Sequence, residues 1–258
     1  MRAAAIQLEV IPNRSKNENI RHASALLDTC KGCDFIVLPE IWNIGFYNFD
    51  NYYVLAETDE GETMSAVSDA ARRLGAYVYS GTFVEKRNGK YYNTGILFDK
   101  KGNAVAKYSK IHLFGYRSRE TELITAGDEI TVAETELGRI GLATCYDLRF
   151  PELFRKMTLE MGAEIFAVPA AWPLSRIETW SLLLRARAAE NFCLLVSSNC
   201  TGMYNGIQGG GNSQIIAPDG SIAAACSLEE TVIFSDFSLN DVAEARQAFS
   251  ALDDVKLL

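Results

Sequence analysis

Ala3-Ala4-Ala5-Ile6-Gln7-Leu8 and Phe35-Ile36-Val37-Leu38 are two short apolar runs separated by a stretch of helical periodicity from about Ser15 to Cys30. Strand, helix, strand is the pattern of a parallel pair joined by a crossover. Working outward, a second helix is predicted over about Glu62 to Leu74, leading into a strand over Tyr77 to Val84. Asn88-Gly89 and Lys101-Gly102-Asn103 then supply turn chemistry for a meander of antiparallel strands. The second half repeats the plan: strand Ile140 to Thr144, helix from Pro151, strand Ile165 to Val168, helix from about Ser175 to Asn191, strand Cys193 to Ser197, and hairpin strands around Pro218-Asp219-Gly220. Residues repeat too, since Asn93-Thr94-Gly95-Ile96-Leu97 before Gly102 parallels Asn212-Ser213-Gln214-Ile215-Ile216 before Gly220. Two sheets, each built from one half and stacked face to face with helices outside, would bury these continuous apolar strands on both faces. The expected fold is α/β, a four-layer α-β-β-α sandwich of two stacked mixed sheets, in one domain over residues 1–258.

Bulk properties narrow the function classes. At 48% apolar and 22% charged residues, the chain can bury a sizeable core, which excludes disorder. The formal charge is -8, and basic residues occur only as short pairs such as Arg72-Arg73 and Lys100-Lys101, so no electrostatic footprint for nucleic acid is present. Met1 to Ile11 is too short and wrongly flanked for a secretion signal and reads as a first strand. The greasiest segment, Glu164 to Trp172, starts with a charge and is broken by Pro169, so no membrane span is expected. These features place the protein in the cytoplasm.

Six cysteines beside this much core make a poor disulfide framework, and none is expected to pair. Cys30 and Cys33 form a C-x-x-C spacing, but with no second pair and no supporting histidine they read as helix-end packing; a thiol oxidoreductase is the rival reading. With only His22 and His112 available, no metal is predicted, and nothing calls for a cofactor.

Three residues combine chemistry with position. Cys145 falls in the turn between a strand and the helix from Pro151, where a nucleophile is exposed, the helix start is electropositive and a neighbouring N–H can hold an oxyanion. It is equally a candidate core cysteine. Glu40 follows the strand Phe35 to Pro39, at the carboxyl end where parallel sheets place ligands, although a carboxylate there is often merely solvated. Lys110 ends the strand Val105 to Ser109, and Ile111, Leu113 and Phe114 can wall its stem; otherwise it is a surface lysine. A thiol nucleophile needs a base and an oxyanion donor, which these residue types supply.

Leu38-Pro39-Glu40, Tyr108-Ser109-Lys110-Ile111-His112-Leu113 and Cys145-Tyr146-Asp147-Leu148-Arg149-Phe150-Pro151-Glu152 resemble the three signature segments of the nitrilase superfamily of carbon-nitrogen hydrolases. Pro169-Ala170-Ala171-Trp172-Pro173 and Arg185 to Asn191 match as well, so the resemblance covers essentially the whole chain. It implies that Glu40 is the general base, Lys110 the oxyanion stabiliser and Cys145 the nucleophile, which forms a thioester while ammonia leaves. It also implies a second glutamate before a Pro-Gly-like turn. Counting back from Gly127, where Ala126 stands in place of proline, gives Glu120, with Glu122 as the alternative. A homodimer is implied in the same way.

Cys145-Tyr146-Asp147 resembles the amidases of the superfamily, whereas true nitrilases resemble Cys-Trp-Glu. Tyr146 to Pro151, Ala171-Trp172-Pro173 and Trp180 together resemble the omega-amidase branch, which hydrolyses monoamides of short dicarboxylates such as 2-oxoglutaramate. Such a substrate needs a cation with fork geometry for its remote carboxylate, and Arg149 is the first choice ahead of Arg176. An ion pair of Arg149 with Asp147 or Glu152 is the alternative. Tyr146, Trp172, Phe46 and Tyr47 are expected to wall the pocket. Asn212 stands where relatives often carry His. Gly209 to Gly211 lacks the lysine and helix of a phosphate loop and reads as a flexible hairpin entry. An N-carbamoyl amidohydrolase and a silent binding protein on the same fold are the rival functions.

Overall fold

The computed structural model describes residues 1–256. In the first half run β1 (Arg2–Glu9), α1 (Lys16–Asp28), β2 (Phe35–Val37), α2 (Tyr52–Leu55), α3 (Glu62–Leu74), β3 (Tyr77–Tyr79), β4 (Phe83–Arg87), β5 (Lys90–Phe98) and β6 (Ala104–Ser109). The short α4 (Glu120–Leu123) is followed by β7 (Thr131–Thr135), β8 (Gly138–Leu142), α5 (Pro151–Leu159), β9 (Ile165–Ala170), α6 (Ile177–Asn191) and β10 (Leu194–Thr201). The chain closes with β11 (Met203–Tyr204), β12 (Ile207–Gln208), β13 (Gln214–Ile216), β14 (Ile222–Ala225), β15 (Thr231–Asp236) and α7 (Leu239–Ala248).

Local chemistry sets several boundaries. Ser15 caps α1 in a reciprocal box with Glu18, satisfying two backbone donors at the helix start. Gly75 closes α3 in the left-handed region, and Pro151 opens α5 at the position where its missing N–H costs nothing.

The strands form two mixed sheets. One has the order β15-β1-β2-β3-β5-β6, with β4 flanking the start of β5; the other has the order β14-β13-β10-β9-β8-β7. β1, β2 and β3 run parallel, as do β8, β9 and β10. Alternate residues of each strand face opposite layers. Ala3, Ala5, Phe35 and Val37 meet Ile165, Ala167, Leu194 and Val196 in the core between the sheets. Ala4, Ile6, Ile36 and Leu38 pack under α1 and α3, while Phe166, Val168 and Leu195 pack under α5 and α6. That is the expected four-layer sandwich, and each large apolar side chain so buried contributes about 1.5–3 kcal/mol.

Three details depart from the sequence reading. The predicted strand Tyr77 to Val84 breaks at Ser80-Gly81-Thr82, where Gly81 has φ +65° and a Cβ would collide with the Pro39 carbonyl oxygen. The sheets are not each built from one half. β15 returns from the C-terminal part to pair with β1 from Arg2 to Gln7, and β10 continues to Thr201 so that Leu8 pairs with Cys200 and Glu9 with Thr201, joining the sheets at one corner. Nor is Gly209 to Gly211 a slack hairpin entry: Gly210 N–H donates to Trp172 O and Gly211 N–H to Cys200 O, and a Cβ on Gly210 would lie 2.7 Å from that Trp172 oxygen. Cys30 and Cys33 are buried at the end of α1 in the outer core, as helix-end packing requires.

Candidate active site

Glu40, Lys110 and Cys145 come together where strands of both sheets end. Glu40 follows β2, its N–H donates to Ala170 O at the end of β9 (3.3 Å), and the next residue, Ile41, has φ +44°. Cys145 follows β8 and has φ +49° at the start of a tight turn that runs to Arg149. Left-handed backbone is costly for a β-branched residue and uncommon for cysteine, and such strain persists where surrounding contacts impose it. Ile41 N–H is held by Thr82 Oγ1 (3.0 Å), and the Cys145 turn by Thr144 N–H donating to Asp147 Oδ2 (2.9 Å) and Asp147 N–H donating to Thr144 O (3.0 Å). Lys110 is pinned on both sides of its backbone: its N–H donates to Asn93 O and its carbonyl accepts from Gly127 N–H.

The side chains form one buried cluster. Lys110 Nζ donates to Glu40 Oε1 (2.9 Å) and to both oxygens of Glu120 (3.0 and 2.9 Å). Glu40 Oε2 accepts from Ala171 N–H (2.9 Å) and Glu120 Oε2 from Phe114 N–H (2.7 Å). All three side chains have zero solvent exposure. Lys110 is therefore no surface lysine, and Glu40 is no solvated strand end. Glu122 extends into solvent and pairs with Arg119 (3.5 Å), so the second glutamate in the cluster is Glu120.

Two carboxylates face one ammonium in a low-dielectric pocket, and the proton affinities follow. Burial works to lower the Lys110 ammonium, but Glu120, Glu40 and Cys145 outweigh it and hold the group well above the usual lysine range. Burial pushes the Glu120 carboxyl up, with Lys110 opposing and Glu40 reinforcing. Burial likewise drives the Cys145 thiol well above the usual range, Glu40 adds to this, and Lys110 opposes it. The electropositive setting expected from a helix start is not found: α5 begins only at Pro151, and burial beside a carboxylate favours the protonated sulfur.

Cys145 lines a small cleft whose walls also include Phe46, Tyr47, Tyr146, Trp172, Arg149 and Arg176. All five residues predicted to line the pocket, Arg149 included, are there. Arg149 lies over the Trp172 ring at 5.0 Å, and Arg176 over Phe114 and Tyr116 at 5.4 and 4.9 Å. Neither guanidinium has an acidic partner within ion-pair distance among the described residues. The Asp147 carboxylate that could have paired with Arg149 is instead buried and occupied by Tyr108 OH (2.7 Å), Thr144 N–H (2.9 Å) and His112 Nδ1 (2.7 Å).

Asn93 was read only as part of the internal repeat, yet its Nδ2 donates to Glu40 Oε1 and to Glu120 Oε1, both at 2.8 Å. Its place before the apolar end of β5 was the available signal, but only the fold, which sets Asn93 beside Glu40 and Glu120, gives it a role. The Asp147–His112 contact, which ties the Cys145 turn to the segment bearing Lys110, was also unforeseen. Among the described residues no group of three or more His, Cys, Asp or Glu is placed to hold a metal ion, and no helix is long and apolar enough to cross a membrane.

Residues 2–247 match the model of the carbon-nitrogen hydrolase family. The chain belongs to that family. Among its carbon-nitrogen hydrolase relatives is a protein of Paenarthrobacter nicotinovorans named 2-oxoglutaramate amidase, 37% identical over 97% of this chain and 88% of its own length. Another of the same name, from Bacillus subtilis, is 34% identical over 93% of this chain and 92% of its own. A Xenopus tropicalis protein named as an omega-amidase is 33% identical over 95% and 91%. The branch resembled by the motifs is thus the branch these relatives are named for. A crystal structure of a CN-hydrolase superfamily protein from Xanthomonas campestris, with an arsenic adduct in its active site, superposes with a TM-score of 0.93 at 29% identity, covering 100% of this chain and 98% of that one.

Proposed function

We propose that this protein is an amidase that hydrolyses the omega-monoamide of a short dicarboxylate, such as 2-oxoglutaramate, to the acid and ammonia. The observation that carries the reading is the convergence of Glu40, Lys110 and Cys145 under a narrow cleft whose wall presents guanidinium groups without acidic partners. The names of the relatives support the same substrate class.

In this reading the amide carbonyl carbon lies against Cys145 Sγ and the remote carboxylate reaches Arg149, whose fork suits bidentate binding. Glu40 takes the thiol proton as sulfur attacks the carbonyl carbon. The oxyanion that forms is held by Lys110 Nζ and by the Tyr146 N–H, which follows the nucleophile in the tight turn that Cys145 opens. Glu40 passes the proton to the departing nitrogen, the C–N bond breaks, and ammonia leaves a thioester on Cys145. Water then gives a proton to Glu40 and its oxygen to the acyl carbon, the C–S bond breaks, and sulfur recovers the proton. Glu120 keeps Lys110 charged and aimed throughout. No step requires a cofactor. The same reading makes the protein a cytoplasmic homodimer of one-domain chains.

Ammonia release across 2-oxoglutaramate, glutamine, N-carbamoyl amino acids and simple nitriles tests the substrate class, with the first expected to lead. Cys145→Ala is expected to remove the activity from a folded protein. Arg149→Ala is expected to raise KM for acidic amides by about 10²-fold, the loss of a charge-assisted pair, and to leave neutral amides within a few-fold. Equal loss on acidic and neutral amides would remove the carboxylate-binding role of Arg149.

A further inference from the structure

The active-site cluster holds two carboxylates and one ammonium within hydrogen-bond range, all without solvent contact. Like charges this close cannot both ionise cheaply, and the usual outcome is that one proton stays bound between them. A proton held there would occupy the base that the thiol needs. Asn93 bridges the two carboxylates beside Lys110. Its Nδ2 is 2.8 Å from Glu40 Oε1 and 2.8 Å from Glu120 Oε1, so one amide nitrogen directs a hydrogen to each carboxylate.

The other end of the amide shows what this placement costs. Asn93 is fully buried, and its Oδ1 meets no hydrogen-bond donor. Leaving a buried carbonyl oxygen unsatisfied is costly, and such orphans concentrate where a group is held for function. Turning the amide over would aim Oδ1 at two carboxylates, so the observed orientation is the one the cluster permits. A neutral double donor at this point favours the ionised form of both acids without adding a titrating group.

Resting on the amidase reading above, we infer that Asn93 is a positioning residue that keeps Glu40 and Glu120 ionised together, and so keeps Glu40 available to take the thiol proton. It acts through the carboxylates and need not touch substrate. The other titratable groups around the pair are Lys110, Cys145, Cys200, Tyr47, Tyr52 and Tyr79, of which only Lys110 carries a charge opposing theirs.

The sign of the effect follows. Removing a donor that favours the carboxylates raises their proton affinity, so the acid limb of the pH–rate profile moves toward higher pH. Asn93→Ala is expected to shift the acid limb of kcat/KM for ammonia release upward by about one pH unit or more, with kcat falling and KM changing little. Asn93→Asp, which adds a third negative charge at the same point, is expected to shift it further. If the alanine protein does not fold, Asn93→Ser carries the same measurement. A purely structural asparagine would lower activity by the same factor at every pH.

The substrate-independent readout is alkylation of Cys145 by iodoacetamide, followed by intact mass from pH 4 to 9 in the wild type and each variant. An upward shift of its acid limb in Asn93→Ala supports the inference even if no amide in the panel is hydrolysed, an outcome that would overturn the substrate reading alone. Superimposable alkylation and rate profiles in wild type and folded variants would overturn the role of Asn93.

Discussion

Lys107 and Lys110 lie three residues apart at the end of β6, and each meets two carboxylates, yet they do different work. Residues three apart on a strand face opposite sides. Lys107 points outward, pairing with Glu85 at 3.0 Å and with Asp59, and its side chain keeps 30% of its exposure. Lys110 points into the junction of the sheets and, like both of its partners, keeps none. Both ammonium groups are held above the ordinary lysine range, with burial opposing and carboxylates prevailing. Ion pairing alone therefore does not mark the site. Complete desolvation does, together with a thiol and an open cleft on the same side.

Three experiments separate the two clusters. Lys110→Met leaves Glu40 and Glu120 buried without their cation and, in the proposed mechanism, removes an oxyanion donor; it is expected to cost at least about 10³-fold in kcat and about 3–5 kcal/mol in stability. Lys107→Met, its outward counterpart, is expected to stay within about threefold in rate and about 1 kcal/mol in stability. Steady-state kinetics and urea melts on both proteins check this, and equal losses would show that desolvation is not the distinguishing feature. The same contrast recurs one helix away: Glu120→Gln is expected to lower kcat by about 10²-fold, whereas Glu122→Gln, whose partner is a solvent-facing arginine, is expected to leave it unchanged within error.

The smallest expected effect lies in pH dependence. Its hydrogen bond with Lys107 holds the Asp59 carboxyl below the usual range, against burial, so Asp59 contributes stability that is present above the unfolded value and lost as pH falls through the folded one. Glu120 is held above its usual range, so its contribution runs the other way, being present in acid and lost as pH rises. Asp59→Asn should therefore narrow its stability gap to the wild type as urea melts move from pH 6 to pH 3. A gap that widens toward acid would reverse the assignment.

Much of the layered architecture can be read along the chain because its determinants are local. Ala3 to Leu8 and Ile165 to Val168 are continuous apolar runs of strand length, Ser15 and Glu18 cap a helix within four residues, and Asn88-Gly89 and Asp219-Gly220 turn a hairpin where they stand. The ordered segments around Glu40, Lys110 and Cys145 likewise carry their chemistry in their own residues. What the tertiary structure decided depends on partners distant in sequence. Asn93 reaches Glu40 across 53 residues, and Ala171 reaches Glu40 across 131. The choice of Glu120 over Glu122, the occupation of Asp147 by His112 rather than Arg149, and the pairing of β10 with β1 all rest on which side chain is desolvated against which. Periodicity and turn chemistry act over a few residues, so sequence by itself determined the elements and the chemical types at their ends. Charge burial acts through space, so only the folded chain decided which of those groups share a dielectric and therefore a proton.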